Sequence, residues 1–569
     1  MERSGQEYQA LSSSRQLWGM FSASKTALTL SVLSGLVAGG SGAALMTFIN
    51  RALGEEQANA TALASAFFGL VFVSVFSGAL SVTLLARVTQ ENLYQLRLWL
   101  CRRILNTPLR QIQHCGLHRI LAALTDDIGS IASAQQALPH LFIEGSKLIA
   151  ALIYLGSLSF KLLVIVLAFI VLGLLSWQLP KKWAWNWLRL ARETHDALFG
   201  HFRAVTEGYK ELKLDARRRH AFLNNDLSDT ARLLRNRENR ANLMLVLAER
   251  WGHSLYFVLI GVVLFLLTRI ENFPREALTG FALVVLFIGE PLSMVVQGAP
   301  AIGRGIVALN NIEALGLGMA AEPEIDFVAE PANPNAEPLT IELLNVSYQY
   351  EGQDADGGYR LGPLDLRIAP GELVFVTGGN GSGKTTLALI ILGLYIPDKG
   401  QIKFGDRFIT DENRDGYRQN FSAVFADSYV FDSLLGYTSD DLIARAKELL
   451  AMLQLDTKLY ITDKRFSTVD LSRGQRKRLA LLASYLADRP VYVFDEWAAE
   501  QDPGFRDFFY LEMLPELKAR GKTVLVITHD DRYFHLSDRL LRLTMGQLEE
   551  CHAVPVEKEK RPVSESSHA

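Results

Sequence analysis

The segment from Gly378 to Thr386 has the residue types and the spacing needed to hold a chain of phosphates. It reads GGNGSGKTT and matches the phosphate-binding loop pattern G-x-x-x-x-G-K-[ST]. Glycines let backbone N–H groups turn inward around a β-phosphate, because no Cβ atom obstructs them. Lys384 reaches the β- and γ-phosphate oxygens, and the Thr385 hydroxyl can bind Mg²⁺. We therefore predict a nucleoside triphosphate site built from Gly378, Gly379, Asn380, Gly381, Ser382, Gly383, Lys384, Thr385 and Thr386.

Two carboxylates and a histidine follow buried strand patterns further along the chain. Asp495 and Glu496 come after the apolar run 491–494, and His529 comes after the run 523–528. Groups at the carboxyl ends of such strands contact the ligand in α/β sheets. An acidic residue there can hold Mg²⁺, a second can position or deprotonate the attacking water, and a histidine can hydrogen-bond a γ-phosphate. Each residue on its own is more simply a surface acid or a helix-capping histidine; together they predict a hydrolytic site.

Two tyrosines lie upstream of the loop, at the end of a predicted strand that covers 339–350. Tyr348 and Tyr350 offer aromatic faces on which an adenine base can stack. We favour Tyr350 for this contact. Packing in the core remains the alternative for either ring.

A phosphate-binding loop needs a strand before it and a helix after it. The apolar run 372–377 predicts that strand, and the run 387–394 predicts the helix. Residues 340–550 alternate short apolar strands with polar helices, as a soluble α/β domain does. Because a predicted strand precedes the loop and a predicted helix follows it, a glycine-rich turn that matches the pattern by chance is disfavoured.

The first 315 residues have a different character, because long apolar stretches dominate them. Hydrophobic residues make up 49% of the whole chain. About 20 apolar residues cross the hydrocarbon core of a bilayer as a helix. The sequence predicts six such spans, at 26–49, 62–86, 141–158, 162–179, 251–267 and 280–296. Buried helices of a large soluble protein are the alternative, which the long uncharged lengths of spans one, two and four disfavour.

Two long segments between the spans, 87–140 and 181–250, are rich in arginine. The positive-inside rule places them in the cytoplasm, together with both termini and the α/β domain. They are too long for simple connections and are expected to be helices that extend beyond the bilayer. Their tips, 109–127 and 206–213, could dock on the ATPase and transmit its motion. Solvated helix surfaces account for most of their other charges.

Glu290 lies about ten residues into the sixth predicted span and is followed by Pro291. A carboxylate at that depth is costly unless it faces a polar cavity or a partner, so Glu290 is a functional candidate. A structural ion pair, or a helix end displaced toward the cytoplasm, explains the residue equally well. Both interpretations stay open from the sequence.

Charge and cysteine content exclude several classes of function. The net charge of −3 argues neither for nor against nucleic acid, and the sequence shows no basic face to interpret; we predict no nucleic acid partner. The three cysteines lack the spacing of a zinc site or a disulfide framework. The polar segment 1–16 lacks the apolar core and cleavage site typical of a signal peptide, so we expect the first span to remain uncleaved. Residues 16–21 are predicted to form an interfacial amphipathic stretch. The predicted organisation is a membrane domain over 1–320, a proline-rich linker over 321–338, a nucleotide-binding domain over 339–551 and a disordered polar tail over 552–569.

A further motif, LSRGQ at 471–475, precedes the acidic pair. With GGNGSGKTT, VYVFDE at 491–496, Asp502 and His529, it resembles the motif set of ATP-binding cassette transporters, and the resemblance extends over the whole chain. Six spans followed by one cassette resemble an exporter half-transporter. The implied fold is an α-helical transmembrane domain fused to an α/β P-loop cassette, and ATP and Mg²⁺ are the implied cofactors.

The resemblance also implies a partner and a role for each motif. Two copies would pair head to tail, so that Ser472, Gly474 and Gln475 of one chain close over ATP held by the other. The implied roles are general base for Glu496, Mg²⁺ partner for Asp495, switch histidine for His529 and contact between the two sites for Asp502.

The sequence departs from the family pattern in two places. The family has a glutamine that links Mg²⁺ to the coupling helices of the cytoplasmic loops. At the corresponding place, the segment 421–431 has Ala426 followed by Asp427. We expect Asp427 to take over as a water-mediated Mg²⁺ contact. The segment 466–470 lacks the glycine-rich acidic stretch of many drug and lipid exporters, so the loops and cassettes are expected to communicate through other side chains.

Three further segments are similar to bacterial cyclic-peptide and siderophore exporters. They read FSAVFAD at 421–427, FDEWAAEQDP at 494–503 and EGYKELKL at 207–214, and Trp497 is part of that similarity. The resemblance implies a homodimer in the bacterial inner membrane, in contact with its lipids, that exports a cyclic or non-ribosomal peptide. A lipid flippase with the same motor and a non-transporting ATPase regulator are the alternatives.

Overall fold

A computed structural model describes residues 25–54, 60–269, 273–316, 339–350, 359–437 and 439–551. These residues divide into two compact units. The first contains the described residues up to Cys101 and His118–Gly316, and the second contains Arg102–Leu117 and the described residues from 339 onward. The predicted interfacial stretch, the linker and the tail lie outside the described residues.

The first unit is helical. Its long helices are α1 (Lys25–Gly54), α2 (Ala60–Asn106), which continues into the second unit, α5 (Ile128–Leu158), α6 (Phe160–Glu207), α9 (Ser228–Gly261) and α10 (Arg275–Ala314). The short helices α4 (Leu117–Ala122), α7 (Tyr209–Leu214) and α8 (Ala216–Ala221) lie between them. The predicted interruption of the second loop occurs at Gly208, between α6 and α7.

Five helical segments of the described residues are long and apolar enough to cross a membrane. They are Thr29–Leu53, Thr61–Asn106, Leu117–Leu158, Ala216–Arg269 and Arg275–Ala314. The predicted fourth span corresponds to a shorter apolar segment, Phe160–Ser176. The helical membrane domain is therefore confirmed, whereas the count of six spans is not.

Small side chains let the helices of this unit approach closely. The hydroxyl of Ser31 donates to the backbone oxygen of Ser81 at 2.9 Å, and the hydroxyl of Ser81 donates to that of Ser31 at 2.8 Å. Such reciprocal bonds satisfy polar groups where no water is available. A Cβ atom on Gly280 would lie 2.3 Å from the side chain of Leu158, so a larger residue there would displace that side chain.

The second unit contains two main sheets. The larger has the strand order β12-β11-β3-β10-β9-β6, in which β11, β3, β10, β9 and β6 are parallel and β12 is antiparallel at the edge. The smaller is antiparallel, with the order β2-β1-β4-β5. The strands are β1 (Ile341–Gln349), β2 (Arg360–Ile368), β3 (Leu373–Thr377), β4 (Lys399–Phe404), β5 (Arg407–Phe408), β6 (Phe421–Val424), β7 (Ile461–Thr462), β8 (Arg465–Phe466), β9 (Val491–Asp495), β10 (Thr523–Ile527), β11 (Arg539–Thr544) and β12 (Gln547–Cys551).

Three central strands of the larger sheet determine where the site forms. Every residue of β3, β9 and β10 is buried, as the uninterrupted apolar runs predict for strands covered on both faces. These strands are neighbours and run parallel, so their carboxyl ends share one edge. The α/β fold expected from the sequence is confirmed. Its helices are α11 (Lys384–Ile391), α12 (Arg414–Arg418), α13 (Asp440–Met452), α14 (Arg473–Ala487), α15 (Pro503–Phe508) and α16 (Leu514–Ala519).

One element of the membrane half belongs to this second unit. The helix α3 (Leu109–Cys115) ends at Gly116, whose φ is 80°. The guanidinium of Arg110 donates to Asp398 at 2.7 Å and to the backbone oxygen of Gln349 at 3.2 Å. This part of the first predicted loop tip therefore docks on the ATPase half.

Candidate functional site

The phosphate loop connects β3 to α11 and depends on glycine at two positions. Gly378 has a φ of 154°, and a Cβ atom there would lie 2.2 Å from the backbone oxygen of Leu543. Gly383 has a φ of 99°, and its Cβ would lie 2.4 Å from the Tyr359 hydroxyl. A side chain at either position would collide with its neighbours and strain the backbone. Close packing therefore determines the loop conformation that the motif predicted.

Lys384 places a positive charge inside this loop. The residue is 6% exposed, and its Nζ donates to the backbone oxygens of Gly378 and Gly379 at 3.0 Å each. The same Nζ lies 3.9 Å from Oε1 of Glu496. A buried ammonium at the N-terminus of a helix favours an anion, because its charge and the helix dipole act together. The loop is therefore suited to phosphate.

Thr385 and Asp495 form a pair of oxygen ligands beside the lysine. The hydroxyl of Thr385 donates to Oδ2 of Asp495 at 3.0 Å. Oδ1 of Asp495 is buried and has no hydrogen-bond partner among the described residues. Burial raises the pKa of this carboxyl, and Glu496 and Asp427 raise it further, against the lowering effects of Thr385 and Lys384. Mg²⁺ prefers a few carboxylate and hydroxyl oxygens, so these residues fit that ion.

Glu496 follows β9 in a conformation that is unusual for its residue type. Its φ is 48°, in the left-handed region, and its backbone N–H donates to Ile527 of the neighbouring strand at 3.1 Å. Non-glycine residues held in this region are frequent at functional sites. The side chain is 37% exposed, and its Oε1 lies 3.2 Å from Nε2 of His529. The carboxylate is therefore accessible to water and positioned by a histidine.

The residues of the LSRGQ motif form a second group. Ser472 is the N-cap of α14, and it forms reciprocal side-chain to backbone bonds with Gln475. The backbone oxygen of Gly474 accepts from the side chain of Gln501 at 3.1 Å. A Cβ on Gly474 would lie 2.9 Å from the backbone oxygen of Glu500. The start of α14 is therefore packed against the segment that leads to Asp502.

Asp502 caps the next helix, α15. Its Oδ1 accepts from the backbone N–H of Phe505 at 2.9 Å, and its Oδ2 pairs with Arg478 of α14 at 2.5 Å. The bond from Phe505, followed by the charge of Arg478, lowers the pKa of this carboxyl. Asp502 thus ties α14 to α15 in its own chain.

The structure brings part of the predicted site into direct contact. Two contacting groups lie next to each other: Lys384 and His529 both pair with Glu496, and Thr385 bonds to Asp495. The charges of Lys384 and Glu496 reach the Asp495 carboxyl and influence its pKa. The residues of the LSRGQ motif bond to each other and to Gln501 instead.

The remaining predicted residues lie around these two groups. The hydroxyl of Tyr350 is 3.1 Å from that of Thr386, and its ring is 37% exposed, whereas Tyr348 is in the core. Asp427 is exposed and close enough to Asp495 to influence its pKa. The roles of these residues stay predictions.

Sequence reasoning missed two residues that shape the site. The hydroxyl of Tyr359 donates to the backbone oxygen of Ser382 and supports the phosphate loop. The buried Nζ of Lys477 donates to the backbone oxygen of Glu496 at 3.0 Å and so holds the carboxylate segment. The position of Lys477 on the inner face of α14 was a usable signal, because a lysine there requires a partner. Nothing near Tyr359 in the sequence pointed to its role.

Comparisons with known proteins agree with this geometry. Residues 361–499 match the family model "ABC transporter", and residues 26–219 match "ABC transporter transmembrane region". The ATP-binding protein SyrD of Pseudomonas syringae pv. syringae is 35% identical over 531 residues, which cover 90% of this chain and 92% of that protein. The ATP-dependent lipid A-core flippase of Paraburkholderia xenovorans (strain LB400) is 25% identical, over 85% of this chain and 82% of that protein.

A solved structure shares the fold. It is a bacterial Atm1-family ABC exporter with ATP bound, which aligns with a TM-score of 0.71 and 17% identity over 94% of this chain and 96% of that one. Together with the identity to SyrD along nine tenths of the chain, these matches agree with the motifs and the site geometry. The chain therefore belongs to the ABC transporter family, as an exporter-type half-transporter whose ATPase domain couples ATP hydrolysis to transport.

Proposed function

We propose that this exporter moves a cyclic or non-ribosomal peptide, of the siderophore-precursor or microcin type, outward across the bacterial inner membrane. The proposal that ATP hydrolysis drives this transport is supported by the contact of Glu496 with both His529 and Lys384 at the phosphate loop. The peptide class is supported by the similarity of the segments 207–214, 421–427 and 494–503 to bacterial cyclic-peptide and siderophore exporters. Both termini and the ATPase domain are cytoplasmic in this proposal.

The hydrolytic step follows from the positions of the side chains. Lys384 neutralises charge on the β- and γ-phosphates, while His529 donates a hydrogen bond to the γ-phosphate. Glu496 accepts a proton from the attacking water, since its carboxylate is accessible and oriented by His529. Thr385 and Asp495 would hold Mg²⁺, which supplies positive charge to the phosphates when it is bound. Tyr350 stacks on the adenine.

The proposed working unit is a homodimer in which each copy completes the ATP site of the other. Ser472 and Arg473 are exposed at the start of α14, where helix N–H groups and the helix dipole favour a phosphate. In a head-to-tail pair, Ser472, Gly474 and Gln475 of one copy face the γ-phosphate held by its partner. Asp502 then contacts the partner's site.

A panel of substrates tests the peptide assignment. The protein is reconstituted in nanodiscs, and ATP hydrolysis is measured with cyclic lipopeptides, linear peptides and lipid A. Stimulation by a cyclic peptide at low micromolar concentration supports the proposal. Stimulation by lipid A alone supports the flippase instead, the candidate that the 25% identity to lipid A-core flippases favours. Steady hydrolysis that no compound in the panel changes, with no compound transported, would point to the regulator.

Asp427 provides a test of the Mg²⁺ contact in the segment that lacks the family glutamine. We expect Asp427→Ala to lower ATP hydrolysis about tenfold and to raise the Mg²⁺ concentration needed for half-maximal rate, because one charged outer ligand is lost. A Mg²⁺ titration of the ATPase rate measures both effects. Asp432→Ala is the control, since Asp432 is an exposed acid in the same loop that pairs with Arg465. Unchanged ATPase and transport in Asp427→Ala would exclude the role.

Glu290 tests whether the membrane unit handles substrate. Its exposed side chain lines a cavity of about 250 Å³ with Tyr256, Phe257 and Met294, and the described residues of this unit contain no ion pair with it. This placement favours the functional interpretation over a structural ion pair. We expect Glu290→Ala to reduce peptide transport in proteoliposomes while the basal ATPase rate is retained. Glu276→Ala, in the first turn of the same helix, should leave both unchanged. Normal transport by Glu290→Ala would contradict a substrate role.

A further inference from the structure

Three tyrosines connect the loop helix α3 to the helix of the phosphate loop. The rings of Tyr348 and Tyr395 are stacked, with centroids 4.8 Å apart and an angle of 9° between planes. Tyr350 meets both rings edge-on, at centroid distances of 5.3 and 6.3 Å. We name these three residues the tyrosine cluster. Stacked and edge-on rings of this kind form a rigid packed unit. Displacement of one ring therefore forces the neighbouring rings to move as well.

A continuous hydrogen-bonded path runs through the cluster. The Tyr395 hydroxyl donates to Oε1 of Gln113 on α3 at 2.5 Å, and the Tyr350 hydroxyl donates to that of Tyr395 at 3.5 Å. Since Tyr350 has given its only hydroxyl proton to Tyr395, the bond of 3.1 Å with Thr386 has the threonine as donor. The path therefore has one direction, from Thr386 of α11 to Gln113 of the loop helix.

The loop helix also contacts the Tyr348 ring of the tyrosine cluster, through Arg110. The guanidinium of Arg110 lies 5.0 Å from the centre of the Tyr348 ring and pairs with Asp398 at 2.7 Å. The other carboxylate oxygen of Asp398 accepts from the backbone N–H of Gln349, at the end of β1. Helix α3 is thus held at Arg110 as well as at Gln113, which accepts from the hydroxyl of Tyr395.

The two ends of the path differ in burial, as expected if movement at an exposed ligand site is transmitted to a buried contact. Tyr395 is 2% exposed, and burial together with its bond to Tyr350 raises its pKa, so its hydroxyl remains a proton donor. Tyr350 is the exposed member and is the residue that the sequence predicts to stack on adenine. A ligand can therefore reach Tyr350, while the buried hydroxyl of Tyr395 bonds to Gln113 of the loop helix.

We propose that the tyrosine cluster reports nucleotide binding to the loop helix, with Tyr395 as the positioning residue that transmits the movement of Tyr350 to Gln113. The inference rests on the proposed ATP-driven transport cycle and adds a route for its coupling. This route takes the place of the glutamine that is absent from the segment 421–431, where Ala426 and Asp427 stand. Coupling of this kind is reciprocal, so the loop helix also influences ATP affinity.

The test uses the full-length protein in nanodiscs and a substitution that removes one hydroxyl only. Tyr395→Phe keeps the stacked ring but loses the bond to Gln113. Tyr417→Phe is the matched control, because its buried hydroxyl donates to the backbone oxygen of Ile391 in the same core rather than to Gln113. Fluorescent ATP binding and ATP hydrolysis are measured first, to show that the site itself is intact.

Opening of the membrane unit supplies the decisive readout. A spin label is attached at Leu53→Cys, at the exposed end of α1, in protein whose own cysteines are replaced by serine. The distance between the labels of the two copies is then measured with and without ATP and vanadate. We expect Tyr395→Phe to lower the ratio of opened to closed molecules about fivefold, the size of one lost hydrogen bond. Because the coupling is reciprocal, its ATP affinity should change by no more than about fivefold. Gln113→Ala should do the same, and the double variant should be no worse than either.

The possible outcomes separate the coupling route from the transport cycle. If the unmodified chain shows no ATP-driven change in distance, the proposed function fails and the inference fails with it. If the unmodified chain opens but Tyr395→Phe opens equally well, the inference alone is overturned. Additive losses in the double variant, or the same loss in Tyr417→Phe, would also overturn it, because they would indicate general destabilisation.

Discussion

Glu496→Gln lowers steady-state ATP hydrolysis about a thousandfold and leaves ATP binding intact, which is the result we expect for loss of a general base. Glutamine keeps the size of the side chain and its distance from His529, but it cannot accept a proton from water. Bound ATP should therefore accumulate and hold two copies together. Size-exclusion chromatography with ATP, beside a phosphate-release assay, measures both effects.

The control for this variant is an exposed glutamate outside the site. Glu512→Gln changes the same functional group on the surface of the ATPase domain, so its hydrolysis should equal that of the unmodified chain. Rapid multiple turnover by Glu496→Gln would contradict the assignment of the base. Loss of ATP binding in that variant would point to a structural role instead.

Lys384→Ala abolishes hydrolysis and weakens ATP binding at least a hundredfold. The ammonium is buried at the phosphate loop, and a hydrogen bond to a charged group contributes about 1.5–3 kcal/mol, so loss of contacts to two phosphates has a large effect. The cavity left by the missing side chain also exposes the carbonyl oxygens of Gly378 and Gly379, which repel phosphate. Titration with a fluorescent ATP analogue measures the affinity.

A surface lysine provides the comparison for this effect. Lys403→Ala removes an ammonium that pairs with Glu342 at 3.5 Å in the smaller sheet, and ATP affinity should remain within about twofold. ATP binding by Lys384→Ala close to that of the unmodified chain would contradict the phosphate role of the lysine.

The site was predictable from the sequence where short segments determine the geometry. The phosphate loop needs only a buried strand, two glycines in constrained positions and a helix start, all of them local features. Asp495 and Glu496 were predictable for the same reason, because the strand β9 ends between them and leaves them at the ligand edge of the sheet.

The roles of Tyr348 and Tyr350 were harder to separate. Strand alternation places both rings on the same face, since the residues are two apart. The strand β1 ends at Gln349, however, so Tyr348 is held in the core while the chain beyond is free to expose Tyr350. Periodicity cannot predict such a difference, because it depends on where the neighbouring strand stops.

Contacts between distant segments were outside the reach of motif reasoning. Arg110 and Asp398 pair across 288 positions of the chain, and neither lies in a recognisable pattern. The predicted loop tip gave a reason to expect docking there, but its partners depend on the folded ATPase domain. The fourth predicted span, 162–179, lies within the single helix α6, whose described apolar part is Phe160–Ser176.

The most direct test of the shared ATP pocket combines two inactive variants. Lys384→Ala disables the phosphate loop, and Ser472→Arg blocks the start of α14, so homodimers of either variant should be inactive. If each pocket uses the loop of one copy and α14 of the other, a mixed dimer contains one intact pocket. Co-assembly should then restore about a quarter of the normal ATPase rate, since half of the dimers are mixed and each has one working site. No recovery in verified mixed dimers, or full activity of an isolated monomer, would contradict the account.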